Sequence, residues 1–460
     1  MYEAPTDPLS RLSQVGHRKL SWEASHDLPE YDAVVIGSGQ GGLSCAAVLA
    51  QFGRKVLVLE QHEVTGGGAH TFAVEGKEGR FDSGLHFTIP QHELLLQLAT
   101  GAAAPPVRTP KLGEPDGTYE RIVFASGEEP PLEIKGGIPE LRAALCRRFP
   151  RHAAAIRAYF ELCDTVQLRF ALWILSALLP MRLRLALLRS RLMAPWRRWA
   201  GVTTADALDE VLPGDEVEAR KLRTLASGLW LDTGSPPSRM SFWMQTAVFG
   251  GFQVLGAGYP VGGPQEMALA MVESVEARGG AVYVRCPVEG IVLGTAGVAC
   301  GVSLSGGRVI RAKRVVSGLG WRKTMELLPE QRRPTRPLST QQSCGFVMGN
   351  ITLRGTAEEL GISSANTWVQ PSSAVNGFDA VRGIDDFMSA PLAVDPSHCA
   401  FGITFPSCKD RAHEVRAPHR SLPFSLPPAD RPTRRHAPAL GTASRPQLLP
   451  DPRAGRVVAF

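Results

Sequence analysis

YDAVVIGSGQGGLSCAAVLAQFGRKVLVLEQ, residues 31–61, decides the fold. Ala33 to Ile36 is a short apolar run, a glycine turn and a helical stretch come after it, and a second apolar run covers Lys55 to Leu59. That order predicts a strand–helix–strand unit. Gly37, Gly39 and Gly42 set out GxGxxG within it. The first glycine permits a tight turn, the second lets the backbone approach a pyrophosphate, and the third lets helix and strand pack closely. Unpaired N–H groups and the positive end of the helix dipole would then face the anion. Glu60 closes the second strand, placed to accept hydrogen bonds from an adenosine ribose and to disfavour a 2'-phosphate. The fold class expected is α/β, built on a Rossmann-type dinucleotide-binding domain.

The residues just after Glu60 separate FAD from NAD. They read QHEVTGGGAHTF and bring a second glycine cluster at Gly66, Gly67 and Gly68. Such a loop lets the chain cross close to a diphosphate and ribityl chain, where a simple NAD domain runs on into another helix. FAD is the cofactor expected, with Gly37, Ser38, Gly39, Gly42, Glu60, Gln61, Gly67 and Gly68 around it.

Composition is consistent with a folded enzyme of two or three domains. The chain has 460 residues, 44% of them hydrophobic, and a net charge of +6 from 50 basic and 44 acidic side chains. So small an excess does not point to nucleic acid. The eight cysteines include no CxxC pair, and no histidine cluster has metal-ligand spacing, so no metal is expected and idle thiols in a reducing compartment are the plain reading. Cys45 falls in the predicted first helix, where a small thiol packs well. Residues 1–30 carry Glu3, Asp7, Glu23 and Asp27 and no apolar run, so neither a secretory signal nor a transit peptide is read there. The localisation expected is on the soluble side or peripheral to a membrane.

Four stretches carry a family resemblance: VLEQHEVTGGGAHTF (58–72), GRFDSGLHF (79–87), GAGYPVGGPQEMALAMV (256–272) and VSGLGWRKTMELLP (316–329). Together they resemble the flavoprotein superfamily of amine oxidases and phytoene desaturases. More narrowly they resemble the all-trans-retinol 13,14-reductase (retinol saturase) branch, beside carotenoid isomerase. His70, Thr71 and Phe72 match the His-Thr-Phe that comes after the second glycine loop in that branch, and Asp82, Gly84 and His86 match its Asp-x-Gly-x-His segment. The chain departs from the branch at Gly68–Ala69, where saturases carry cysteines.

The resemblance implies a glutathione-reductase/amine-oxidase-type FAD domain with an inserted α+β substrate domain. Residues 1–30 would be an extension, 31–90 the first FAD segment, 91–270 a largely helical substrate or cap region, 271–330 the second FAD segment and 331–410 substrate-domain strands. It also implies that the backbone of Val288 holds the adenine edge, against the alternative of a plain β-meander without ligand contact. The activity implied is reduction of a polyene C=C bond, with NAD or NADP as a candidate electron donor. Carotenoid isomerisation or desaturation, and an inactive flavoprotein fragment, stand as alternatives. His70 and His86 are the candidate proton donors, although both can equally be loop histidines bonding backbone or cofactor, and Asp82 can be a turn former.

FALWILSALLPMRLRLALLRSRLMAPWRRW, residues 170–199, is the least usual stretch. Its apolar run to Leu179 is about half of what a span requires, and Pro180 interrupts it. Beyond the proline, six arginines alternate with leucines and with Trp196 and Trp199. That composition suits a helix lying in a headgroup plane, the alternative being a core helix with a solvated basic face. FGITFPSCKD (401–410) reads as a further substrate-side strand, whereas residues 411–460, with nine prolines and nine arginines, have a disordered composition. Family members continue past this point to a glycine-rich segment that completes the flavin site, so the expectation is a chain truncated before it.

Overall fold

The computed structural model describes residues 28–73, 80–113, 116–127, 129–214, 216–295, 297–334, 343–371, 381–385, 400–410 and 457–459. Most of the N-terminal extension and the Pro/Arg-rich tail therefore lie outside the described residues.

The strand–helix–strand unit forms as its pattern dictates. Strand β1 (Ala33–Ile36), helix α1 (Gln40–Gln51) and strand β2 (Val56–Leu59) succeed one another. Both strands are buried along their whole length, as parallel strands covered on both faces must be. They sit in a parallel sheet ordered Val315–Ser317, β1, β2, Ala281–Tyr283, so residues 31–90 and 271–330 share one sheet.

Alternation along the strands divides two layers. Val35, Val56 and Val58 face α1 and the helix Gln265–Glu276, whose Ala268 and Ala270 meet Leu43, Ala46 and Ala47. Alanines at that contact let the two helices approach closely. Val34, Ile36, Leu57 and Leu59 face the other way, onto Ile291, Val302, Leu304 and Ile310 of a three-stranded antiparallel meander. Helices, parallel sheet and meander make the three layers.

The second region is a mixed sheet under helices. Its order is Phe401–Ile403, Asn366–Gln370, Glu120–Phe124, Leu132–Ile134, with only the central pair parallel. Two of its strands precede residues 271–330 and two come after them, so the region 91–270 contributes strands as well as helices. The strand expected over 401–410 ends at Ile403, and Pro406–Lys409 turns into a short helix. Among the described residues, no helix is long and apolar enough to cross a membrane.

Candidate active site

The glycine turn is built by sterics. Gly37 has φ +90°, open to glycine at little cost, and a Cβ on Gly42 would fall 2.2 Å from the Gly37 carbonyl oxygen. Gly39 caps α1 without a side-chain hydrogen bond, and a Cβ there, or on Gly41, would meet no protein atom within 4 Å. The helix N-terminus thus opens onto space that a side chain would fill. The second glycine loop lines the same space: Gly66 bridges to Gly39, and Gly67 comes so close that its Cβ would stand 2.9 Å from the Gly39 Cα. Beside this cradle, Gln40 Nε2 and Thr65 Oγ1 are buried with no hydrogen-bond partner among the described residues. A diphosphate with its attached groups fits such a site, because it brings acceptors and donors to polar atoms that water does not reach.

Glu60 is buried, and the chain itself uses most of its carboxylate. One oxygen accepts from the Ser38 backbone N–H at 2.8 Å and from Ser38 Oγ at 2.5 Å, and the other accepts from the His62 N–H at 2.9 Å. A carboxylate offers about four acceptor positions. One remains for a ligand hydroxyl. Gln61 next to it is exposed, and Val288 is half-buried at the first position of the meander, immediately before an irregularity in its strand pairing.

The loops of three of the four resembling stretches, 58–72, 79–87 and 256–272, converge. The Leu85 N–H donates to the Gly68 carbonyl and the Ser83 N–H to the His70 carbonyl, which fixes the 79–87 segment against the second glycine loop. Gln265 spans the same junction, accepting from the Thr71 N–H at 3.0 Å and donating to the Thr65 carbonyl at 2.8 Å. Tyr259 Oη donates to Asp82 at 2.6 Å, and Asp410 accepts from the Gly262 N–H at 2.8 Å. Asp82 therefore does more than form a turn.

His70 and His86 lie in different surroundings. Nδ1 of His70 is 2.7 Å from the Gly67 carbonyl, which ties it to the glycine loop. His86 has Nδ1 3.1 Å from the Gly84 carbonyl and Nε2 3.4 Å from Asp232, with the Trp368 ring edge-on at 5.6 Å. Both ring nitrogens face oxygen acceptors, so either can hold a proton for transfer. The second oxygen of Asp232 is buried without a hydrogen-bond partner among the described residues.

Behind His86 stands a buried charged group that no motif in the sequence announced. Lys409 Nζ donates to the His86 carbonyl at 2.7 Å and to Asn366 and Thr404 side chains. Burial pulls its pKa down to about 7 against the opposing pull of Asp82, Glu120 and Asp232. Glu120, fully buried, accepts from Trp368 Nε1 at 2.9 Å, and burial with the neighbouring Asp232 charge holds its carboxyl well above the usual range. Burial likewise pushes Asp82 up to about 6, partly offset by Tyr259, Lys409 and His86. One signal was available: Glu120 shares the buried face of its strand with Ile122 and Phe124, an acid where period-two patterning calls for an apolar side chain.

Residues 41–350 match the family described as flavin containing amine oxidoreductase. The chain belongs to that family. Within this flavin-containing family it is 32% identical to all-trans-retinol 13,14-reductase from Rattus norvegicus, over 92% of this chain and 70% of that one. It is 31% identical to the protein of the same name from Danio rerio, over 88% of this chain and 66% of that one. Prolycopene isomerase from Daucus carota is 53% identical, but over only 10% of this chain and 8% of its own. The chain thus spans about two thirds of the length of the retinol reductases it matches. The Rossmann-type FAD fold expected from residues 31–61 and the oxidoreductase class are those of the family, and the resemblance to the retinol reductase branch extends along nearly the whole chain.

Proposed function

We propose that this oxidoreductase reduces a C=C bond of a polyene such as all-trans-retinol, with FAD held by Gly37, Ser38, Gly39, Gly42, Glu60, Gln61, Gly67, Gly68 and the backbone of Val288. The observation that carries this reading is the extent of the match: about nine tenths of the chain aligns with the retinol reductases and about a tenth with the isomerase. Reduced flavin, when bound, supplies the hydride that goes to one carbon of the double bond. The chain supplies the rest. His86 gives the proton to the other carbon, Asp232 orients the imidazole, and the buried Lys409–Glu120–Asp82 group fixes the loop that carries it. His70, tied to the glycine loop, is a second proton donor on the cofactor side.

Two finer features belong to the same reading. NAD or NADP in reduced form would be the electron donor for the flavin, and the lipid-soluble substrate would be drawn from a bilayer surface contacted within the Phe170 to Trp199 segment. Incubation of the purified protein with all-trans-retinol or lycopene isomers and either nicotinamide tests all of this by product mass and retention. A gain of two hydrogens supports reduction. Unchanged mass with altered retention indicates isomerisation, and a loss of two hydrogens desaturation.

A further inference from the structure

From Thr165 to Ala205 the chain contains seven arginines and not one aspartate or glutamate. The structure divides this stretch into an anchored side and an outward one. On the anchored side, Phe170, Trp173 and Trp196 gather around Trp243 at centroid distances of 5.2–6.0 Å. Trp199, expected in a headgroup plane, is instead buried against Phe242 at 5.3 Å with the Arg198 guanidinium over its ring. These aromatic side chains hold the segment to the core, and they are not its membrane face.

The outward side is apolar and has no cover among the described residues. The helix Met181–Arg189 includes Met181, Leu183, Leu185, Leu187 and Leu188, yet none of its residues is fully buried. Leu178, just before it, is 83% exposed and Met181 64% exposed, and Leu175 and Leu192 are exposed as well. Single exposed leucines are ordinary, but a contiguous apolar surface of this kind marks an interaction site. Arg182, Arg184, Arg189 and Arg191 are interleaved with it, and none of them pairs with a carboxylate among the described residues, whereas Arg198 is paired with Glu210. Apolar side chains rimmed by unneutralised guanidinium groups match an acyl layer under anionic headgroups.

We propose that the surface running from Leu175 to Leu192 docks on a phospholipid bilayer of net negative charge, with Leu175, Leu178, Met181 and Leu183 entering the acyl boundary and Arg182, Arg184, Arg189 and Arg191 contacting phosphates. The proposal rests on the reading that the substrate comes from a lipid surface, and it adds the chemistry of that surface. The arginines select anionic over zwitterionic headgroups, and the leucines set the depth.

Flotation of the full chain with vesicles of phosphatidylcholine alone, or of phosphatidylcholine with phosphatidylserine, tests it. Binding to the mixed vesicles is expected to be at least about tenfold tighter, to weaken as salt rises, and to fall to the phosphatidylcholine level in the Arg182→Gln/Arg184→Gln/Arg189→Gln/Arg191→Gln variant. Leu178→Asp is expected to weaken binding to both vesicle types. Arg182, Arg189, Arg191 and Leu178 are exposed and Arg184 is half-buried, and an unchanged circular dichroism melt shows that the variants fold. Equal binding to the two vesicle types, no binding to either, or undiminished binding of the arginine variant overturns the proposal. Polyene turnover measured in detergent micelles is independent of docking. Turnover without vesicle binding removes the dock alone, and vesicle binding without turnover removes the reductase reading alone.

Discussion

Tyr259 donates a 2.6 Å hydrogen bond to Asp82 across 177 residues of sequence, joining the loop that leads to His86 with the loop that leads into the helix Gln265–Glu276. The bond is buried, and it stabilises the ionised form of a carboxyl that burial, even against this bond, holds up at about 6. Asp82 keeps its proton more tightly in the fold than in the unfolded chain. Its contribution to stability is therefore largest below about pH 4 and is lost as pH rises through about 6. Tyr259→Phe leaves the carboxylate without this donor and is expected to cost about 1–3 kcal/mol near neutral pH. The same variant carries the loss to higher pH. Thermal melts of both proteins from pH 4 to pH 8, a range of about two units either side of the folded pKa, check this.

Gly39 and Gly42 stand three residues apart and predict opposite outcomes. A Cβ on Gly42 strikes the Gly37 carbonyl at 2.2 Å, so Gly42→Ala must separate helix from strand, at about 1–3 kcal/mol or more. A Cβ on Gly39 meets nothing in the protein, and its φ of −62° suits alanine. Gly39→Ala should melt like the parent and yet lose flavin, read from the visible absorbance of the purified protein.

Lys409 is expected to leave a signature in pH. Its pKa falls from the ordinary lysine value to about 7 in the fold, so between about 7 and 10 the unfolded chain binds a proton that the folded one does not. Stability from this group rises with pH through that window. Lys409 also lowers the pKa of Glu120 and Asp82, so in Lys409→Met those carboxyls keep their protons to higher pH, and the difference between the parent and Lys409→Met carries both effects in the same direction. That difference should shift in favour of the parent as pH goes from 7 to 10, in urea melts taken at each pH.

The His86–Asp232 contact at 3.4 Å gives the proton-transfer prediction. His86→Asn should lower the rate of polyene reduction by about 10²–10⁴-fold while flavin content stays at the parent level. Asp232→Asn, acting through the imidazole, should lower the rate less and displace the pH profile of kcat. Equal loss of flavin and of rate in both variants would point to a structural role for the pair.

Local sterics and periodicity made the nucleotide half legible. Gly37, Gly39, Gly42 and Glu60 declare their roles within 24 residues of sequence, because turn, helix start and strand end are short-range events. The run Ala33 to Ile36 is apolar throughout, so only the structure shows that Val35 faces one layer and Val34 and Ile36 the other. The group behind His86 was not legible in the same way. Glu120 meets Trp368 across 248 positions and Lys409 meets His86 across 323, and nothing local in either partner names the other. Trp199 illustrates a different limit. Interleaved with arginines, it has the composition of an interface residue, and only the arrival of Phe242 assigns it to the core.

Anaerobic single turnover tests the central claim most directly. The flavin-loaded protein is reduced chemically, mixed with all-trans-retinol and monitored by flavin absorbance, and the mass of the product is then measured. The expected result is that the oxidised flavin spectrum returns with one equivalent of retinol and that the product carries two additional hydrogens. Flavin that stays reduced, with retinol recovered at unchanged mass, would contradict polyene reduction.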